Sequence, residues 1–427
     1  MTGLRKVAVV GLVLVPLVGG IGWASVEEKK PAAKGPTRPP AEQLPSKEDV
    51  RGAIEAAGGY LVRATGPDGR FVYRTDLDPT FEPEPSYNIL RHAGTVYSLG
   101  MYHGWRPKEE TRRAIERATR YLGECCVDEV PGQQAFLAVW SPPEIVLTGK
   151  PLQAKLGGTG LGLVALAGLE EVGPGSTPAA ELAALGRFLI FMQKPDGSFY
   201  SKYFPGQGRD DSWTSLYYPG EAALGLVMLA EQEGSRSWLE AAARALGYLA
   251  KSREGRSTLP ADHWALLATE RLVQVDGLDS LGVSRRQLVD HAVQICRSIL
   301  EERPAGEGTS SYGGSLTPDR RTTPTSTRLE GLLAVLTFLP SDEIELRHEM
   351  ETAIHQGISF LVRAQVRSGE LDGAIPRAVG LSRPRGSRRL PLVDPRASEV
   401  RIDYVQHALS AMIRYLEVLG PSGDGQQ

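Results

Sequence analysis

Carboxylates, imidazoles, guanidinium groups and aromatic rings recur at one kind of place along this chain, where a polar stretch runs into an apolar helical one. Asn88, Arg91 and His92 open one such segment, and Trp213, Tyr217, Tyr218 and Glu221 open another. His263 and Trp264 follow Asp262, and Arg401, Asp403, Tyr404 and His407 stand together near the end. Thr95, Thr159, Thr327, Arg328, Glu330 and Gln406 fall at equivalent places. Two chemistries suit these residue types. Glycoside hydrolysis needs one carboxyl protonated for the leaving group and one ionised; Glu221 and Asp403 lead, ahead of Asp211, Asp262 and Glu330. A lyase needs a base, a proton donor and a cation beside a uronate carboxylate, roles open to His92, His263, His407, Tyr218 and Arg91. Asp403 and His407 are four apart and share a helix face. The carboxylate there either raises the imidazole's basicity or only shares a buried hydrogen bond with it. Arg91 and His92 are adjacent, so on a helix they point about 100° apart. Capping competes with chemistry throughout, since Asp262 or Thr327 at a helix start satisfies free N–H groups for about 1 kcal/mol.

Apolar spacing of three and four places these residues on helices. Charged, amphipathic helices are predicted at 48–65, 107–123, 177–193, 236–252, 285–302 and 343–365. Between them come weakly charged helices with Gly or Ala at close-approach positions, at 87–102, 155–170, 218–232, 260–273, 323–339 and 400–418. Pro219 suits the first turn of the third of these, with Glu221 near the positive end of its dipole. Six wet-faced helices alternating with six apolar ones make an all-α (α/α)6 toroid, outer layer around inner. Repeats support this: Asp68-Gly69 follows Tyr60-Leu61 at the offset by which Asp196-Gly197 follows Phe188-Leu189, and Asp372-Gly373 follows Phe360-Leu361 with an insertion. A helical pair that cannot bury its apolar face alone stacks and closes. Connections from outer to inner helices are the long ones, such as 66–86, 124–154, 194–217, 303–322 and 366–399, so they share a face with the inner-helix N-termini. One cavity is expected there, lined by Arg91, His92, Glu221, His263, Asp403 and His407, with Trp213, Tyr217, Tyr218 and Trp264 as platforms for sugar rings. Asn88, Arg401 and Tyr404 join them as substrate-binding residues.

The 427 residues are 41% hydrophobic and 23% charged, ordinary for a globular protein, and a formal charge of −3 gives no basic field for nucleic acid. The basic run Arg383 to Arg396, set among Pro, Gly and Ser, reads as a solvated loop. Cys125, Cys126 and Cys296 make no disulfide framework and are expected as small buried groups. Arg5 and Lys6 precede an apolar run over 7–25, so residues 1–25 read as a signal peptide or a membrane anchor. Residues 26–46 form a Pro- and charge-rich linker, 47–420 the toroid, and 421–427 a disordered tail. The body is therefore expected outside the cytoplasm, as a secreted, periplasmic or anchored protein touching membrane only through 7–25.

The Gln193-to-Phe199 stretch, with Asp196-Gly197-Ser198 before the aromatic ring, resembles the repeat of the terpenoid cyclase and protein prenyltransferase superfamily. The body from 47 to 420 also resembles six-hairpin (α/α)6 carbohydrate enzymes, namely glycosidases, epimerases and lyases. The cyclase resemblance lacks its protonating Asp-x-Asp-Asp: Asp76 and Asp78 are followed by Pro79, and Asp210-Asp211 lacks the first member. Aromatic residues at 7% are thin for holding carbocations. The cysteines fall on outer helices, away from any prenyltransferase-like zinc site. With no Gly-rich phosphate loop and no metal-ligand spacing, neither cofactor nor metal is expected. The leading expectation is an exported enzyme acting on a carbohydrate or cell-envelope polymer. Its alternatives are a ligand-binding or scaffold toroid tethered at the membrane, and a cyclase-like protein without the usual motifs.

Overall fold

Alternation of wet and apolar helices is what the chain adopts. A computed structural model describes residues 44–169, 172–173, 177–304, 313–379 and 394–420. The expected leader, most of the linker, most of the basic run and the tail lie outside the described residues. Outer α1 (Lys47–Ala64) precedes inner α2 (Ile89–Trp105), and outer α3 (Glu109–Cys126) leads through one turn, α4 (Pro143–Val146), to inner α5 (Leu156–Gly168). The pairs continue, outer member first, as α6 (Ala179–Phe191) with α7 (Tyr218–Glu233) and α8 (Arg236–Arg253) with α9 (His263–Leu272). Then come α10 (Arg285–Glu301) with α11 (Thr322–Leu336) and α12 (Ile344–Ala364) with α13 (Ile402–Leu419). Each inner helix packs on the next, α2 on α5, α5 on α7, α7 on α9, α9 on α11 and α11 on α13, and α13 returns to α2. The ring is closed.

Local chemistry sets these elements. Ser46 caps α1 and Asp49 reciprocates, a capping box that satisfies two free N–H groups. α3 carries its charge outward in the Arg112–Glu109 and Arg113–Glu109 pairs while Ile115, Ala118 and Leu122 turn inward. α5 has no charged side chain and is buried over most of its length, as a helix walled on all sides must be.

The repeated Gly is explained by the ring. Gly69, Gly197, Gly314 and Gly373 all have positive φ, and a Cβ on each would fall within 2.4 Å of a carbonyl oxygen on the next outer helix, those of Arg117, Arg244, Gln356 and Ala56. The last contact carries the turn after α12 onto α1 and shuts the outer layer. Gln193 and Gln365 do the same work, donating from Nε2 at 2.9 Å to the carbonyls of Ala241 and Ala53. The stretch that resembles the cyclase repeat thus docks outer helices on one another.

The long connections are more ordered than their reading as loops implied. β1 (Arg74–Asp76) pairs antiparallel with a late strand, while β2 (Val127–Val130), β3 (Gln133–Ser141), β4 (Gln153–Lys155), β5 (Lys202–Phe204) and β6 (Gly208–Asp210) form one antiparallel sheet. β7 (Glu399–Arg401) is the partner of β1 and holds the start of α13 in register, Thr75 opposite Val400. The β-branched and aromatic run ending Val139-Trp140, entered through a turn at Gly132 with positive φ, favours strand once it can pack on the toroid rim. Cys126 and Cys296 are buried as expected, but Cys125 is exposed.

Candidate functional site

The inner-helix N-termini enclose a cavity of about 370 Å³. Asn88 and Arg91 enter it from α2, and Trp213, Tyr217, Tyr218 and Glu221 from the approach to α7 and its first turn. His263 and Trp264 come from α9, Thr327 from α11, and Arg401, Asp403, Tyr404, Gln406 and His407 from the start of α13. Five of the six residues expected at its heart are there, and His92 is not. The roughly 100° between adjacent helix positions turns His92 away: Tyr87 Oη lies 2.8 Å from its Nδ1 and the Ala118 carbonyl 2.8 Å from its Nε2. Fully buried between α2 and α3, its pKa falls to about 4 through burial. His92 is a structural hydrogen-bonding core residue.

Asp403 is clamped. Arg91 Nε lies 3.0 Å from Oδ2, and Arg401 reaches both carboxylate oxygens, Nε to Oδ1 at 2.5 Å and Nη2 to Oδ2 at 3.0 Å. Burial alone would raise its pKa, but the two guanidinium groups outweigh it and hold Asp403 below the ordinary value. The expected pairing of Asp403 with His407 is replaced: His407 Nδ1 lies 2.8 Å from Glu330 Oε2 on α11 instead. Tyr73 accepts from Arg91 Nη1 at 2.5 Å, and Tyr404 donates to Glu399 at 2.6 Å, so β1 and β7 brace the clamp.

Glu221 is the opposite case. Its carboxyl is buried against Gly157 and Tyr218, and Oε2 has no hydrogen-bond partner. Burial first, and the nearby Asp262 second, push its pKa up to about 8, so it is protonated at neutral pH despite its place at a helix N-terminus. Asp262 is a cap, accepting from Ala265 N at 3.2 Å and from Arg253 Nη2 at 2.7 Å. That pair fixes where His263 begins α9.

At the cavity floor two imidazoles meet. The rings of His263 and His407 are 5.2 Å apart and nearly perpendicular. Trp264 lies 4.7 Å from the first and Tyr217 packs edge-on to it at 5.3 Å. Burial drives His263 well below 6.5, helped by His407 and Arg328, and it stays neutral with both nitrogens unpartnered. Burial would also lower His407, but the Glu330 carboxylate outweighs it and raises its pKa above 6.5. The two facing imidazoles are therefore pushed in opposite directions, His263 toward the neutral form by burial and His407 toward the protonated form by Glu330. Donor atoms of His263, Glu330 and His407 all lie within 4.8 Å of one another, a set able to ligate a metal ion.

Reading from the sequence placed Glu330 only in reserve and passed over Arg321 and Arg377, which also line the cavity. Glu330 sits on the third turn of α11, and no spacing announces a partner on α13. The two arginines belong to loops whose path nothing in their own sequence specifies.

No family model matches this chain, and neither does any curated protein. Solved structures do. The cellobiose 2-epimerase of Bacillus thermoamylovorans B4167 is 11% identical with a TM-score of 0.62, covering 86% of this chain and 98% of its own. The GH76A alpha-1,6-mannanase of Salegentibacter sp. HEL1_6 is 11% identical at a TM-score of 0.56, covering 87% and 99%. An unsaturated glucuronyl hydrolase specific for heparin is 14% identical at 0.57, covering 88% and 98%. All are (α/α)6 toroids, and the likeness establishes that fold for this chain.

Proposed function

We propose that this chain is a carbohydrate-active enzyme that moves a proton on and off a sugar carbon, as an epimerase or lyase does. The observation that carries this is the facing pair at the cavity floor, 5.2 Å apart, with His263 pushed toward the neutral form and His407 toward the protonated one. A base and an acid of opposite state on two sides of one carbon is what abstraction next to a carbonyl or carboxylate needs. His263 takes the proton; His407, charged by Glu330, supplies one. Arg91 and Arg401 lie at the rim, where they hold an oxygen of substrate, and Trp213, Tyr217 and Trp264 offer faces for the ring. Glu221, protonated, donates to a hydroxyl. The names of the structural neighbours, an epimerase and a glucuronyl hydrolase among them, agree with this class of substrate.

A glycosidase reading has one observation in its favour, since Glu221 is protonated and Asp403 ionised. Both oxygens of Asp403 are engaged by arginines, however, which leaves it a poor nucleophile or base. The proton-transfer reading is tested by incubating the protein with a panel of reducing sugars and uronate oligosaccharides and resolving the products. New epimers or unsaturated products are expected, with rates reduced about 10²- to 10⁴-fold by H263A or H407N. Hydrolysis that survives both substitutions would reverse the choice in favour of Glu221 and Asp403. We also propose that the toroid acts outside the cytoplasm, on the strength of the 7–25 run behind Arg5 and Lys6. The N-terminus of the mature protein distinguishes release, with a start near Ser25, from tethering, with Met1 intact. Among the described residues no helix is long and apolar enough to cross a membrane.

A further inference from the structure

We infer that His263, Glu330 and His407 form a binding site for a single zinc-like transition-metal ion, and that its occupancy silences the two imidazoles. The silencing rests on the proton-transfer reading; the binding does not. Three observations lead there. The donor atoms converge from three inner helices, with Glu330 Oε2 at 2.8 Å from His407 Nδ1 and 3.9 Å from His263 Nε2. Zinc bonds of about 2.0–2.2 Å in a tetrahedron set ligand atoms roughly 3.3–3.5 Å apart. The first separation must therefore open and the second close, each by about half an ångström, while the two imidazole nitrogens, which lie within 4.8 Å of each other, draw in to the same spacing. Side-chain rotation supplies that.

His263 is the second observation. It is 3% exposed, and neither ring nitrogen has a hydrogen-bond partner. Buried polar groups are almost always satisfied, and a metal ion at Nε2 would satisfy this one. The donor set is the third. Two imidazoles and one carboxylate suit zinc, copper or nickel, whereas magnesium and calcium prefer oxygen alone. Three protein ligands leave a fourth position, and because His263 and His407 both line the 370 Å³ cavity, water or a sugar hydroxyl would reach it from there. The cations that act on these side chains have their own counter-ions, Arg328 on Glu302, Arg91 on Asp403 and Arg414 on Glu270, so they do not bar a dication. An ion on both imidazoles occupies the lone pairs that proton transfer uses. Metal binding and turnover then exclude each other.

Zinc chloride alone, titrated into the full-length protein after chelator treatment and followed by calorimetry, tests this. One saturable site is expected, weakened at least about tenfold by H263A and by E330Q and unchanged by H348A, which removes an exposed imidazole. Cobalt(II) provides a readout in the wild-type protein that does not depend on the folding of variants: a tetrahedral visible spectrum that saturates at one equivalent. Binding that H263A and E330Q leave intact, or no saturable site, overturns the inference. Turnover that persists at full zinc occupancy overturns the silencing while the site stands. Loss of the proton-transfer reading itself would show separately, as turnover undiminished in H263A.

Discussion

Replacing Glu330 by Gln keeps the shape of the side chain and its contact with His407 but removes the charge. Glu330 is buried, and its contact with Nδ1 is 2.8 Å. Burial raises its own pKa above 4.5, so the ion pair exists from there up to the raised value of His407. Because the folded His407 titrates above its unfolded value, the pair's stabilisation is full between the raised value of Glu330 and about 6.5, and is lost as pH rises through the folded value of His407. A charge-assisted hydrogen bond is worth about 1.5–3 kcal/mol, and about 1.4 kcal/mol is a tenfold change in a protonation equilibrium. In E330Q the proton on His407 is therefore expected to bind about 10- to 100-fold more weakly. With the carboxylate gone, desolvation governs and His407 becomes neutral at pH 7. Histidine-selective ¹⁵N labelling reads this directly, the His407 signals being identified by their loss in H407N. The imidazolium is expected to persist to a higher pH in the wild type than in E330Q. If His407 has the same protonation state in both, Glu330 does not charge it, and the acid–base pair loses its physical basis.

D403N leaves Arg91 and Arg401 without their shared counter-ion, an expected loss of about 3 kcal/mol by chemical denaturation, the low end for a buried pair because Arg91 is partly exposed; a change under about 1 kcal/mol would show the clamp to be incidental. His92, held neutral with its pKa near 4, binds its proton more readily unfolded, so stability should fall as pH drops from about 6.5 through 4, by about 3 kcal/mol for this group. Melts of wild type and H92F across that window check it, since the variant, though weaker overall, should lack this part of the acid decline. G373A places a Cβ against the Ala56 carbonyl, whereas G132A, also at positive φ, meets open space. The first should cost at least twice the roughly 1–2 kcal/mol of backbone strain expected of the second, and equal losses would mean that the turn does not lock the ring.

The ring was legible because its signals are local. Helical spacing, small residues at 155–170 and 218–232, and the Asp-Gly turns each reflect contacts within or between neighbouring repeats. The cavity followed from them, since a closed ring with long connections on one face brings Glu221, His263 and Asp403 together whatever their separation in sequence. Orientation was less legible. Arg91 and His92 compete for one face, and only packing of α2 on α3 decides that His92 is the buried one. The pairing of His407 with Glu330 rather than Asp403 is equally a product of the ring, because two arginines reach Asp403 first. The five-stranded sheet on the rim escaped notice because β4, β5 and β6 are three residues each, too short to show a strand pattern, and only β4 pairs with the longer β3 while β5 and β6 follow in turn.

The most direct test of the facing imidazoles is isotopic. The protein is turned over in D₂O with the sugar on which it acts, and deuterium at each carbon is read by NMR or mass spectrometry. Deuterium is expected at the single carbon from which His263 takes its proton, at a rate that H263A abolishes. Product formed by the wild type without deuterium on any carbon would contradict proton transfer by this pair.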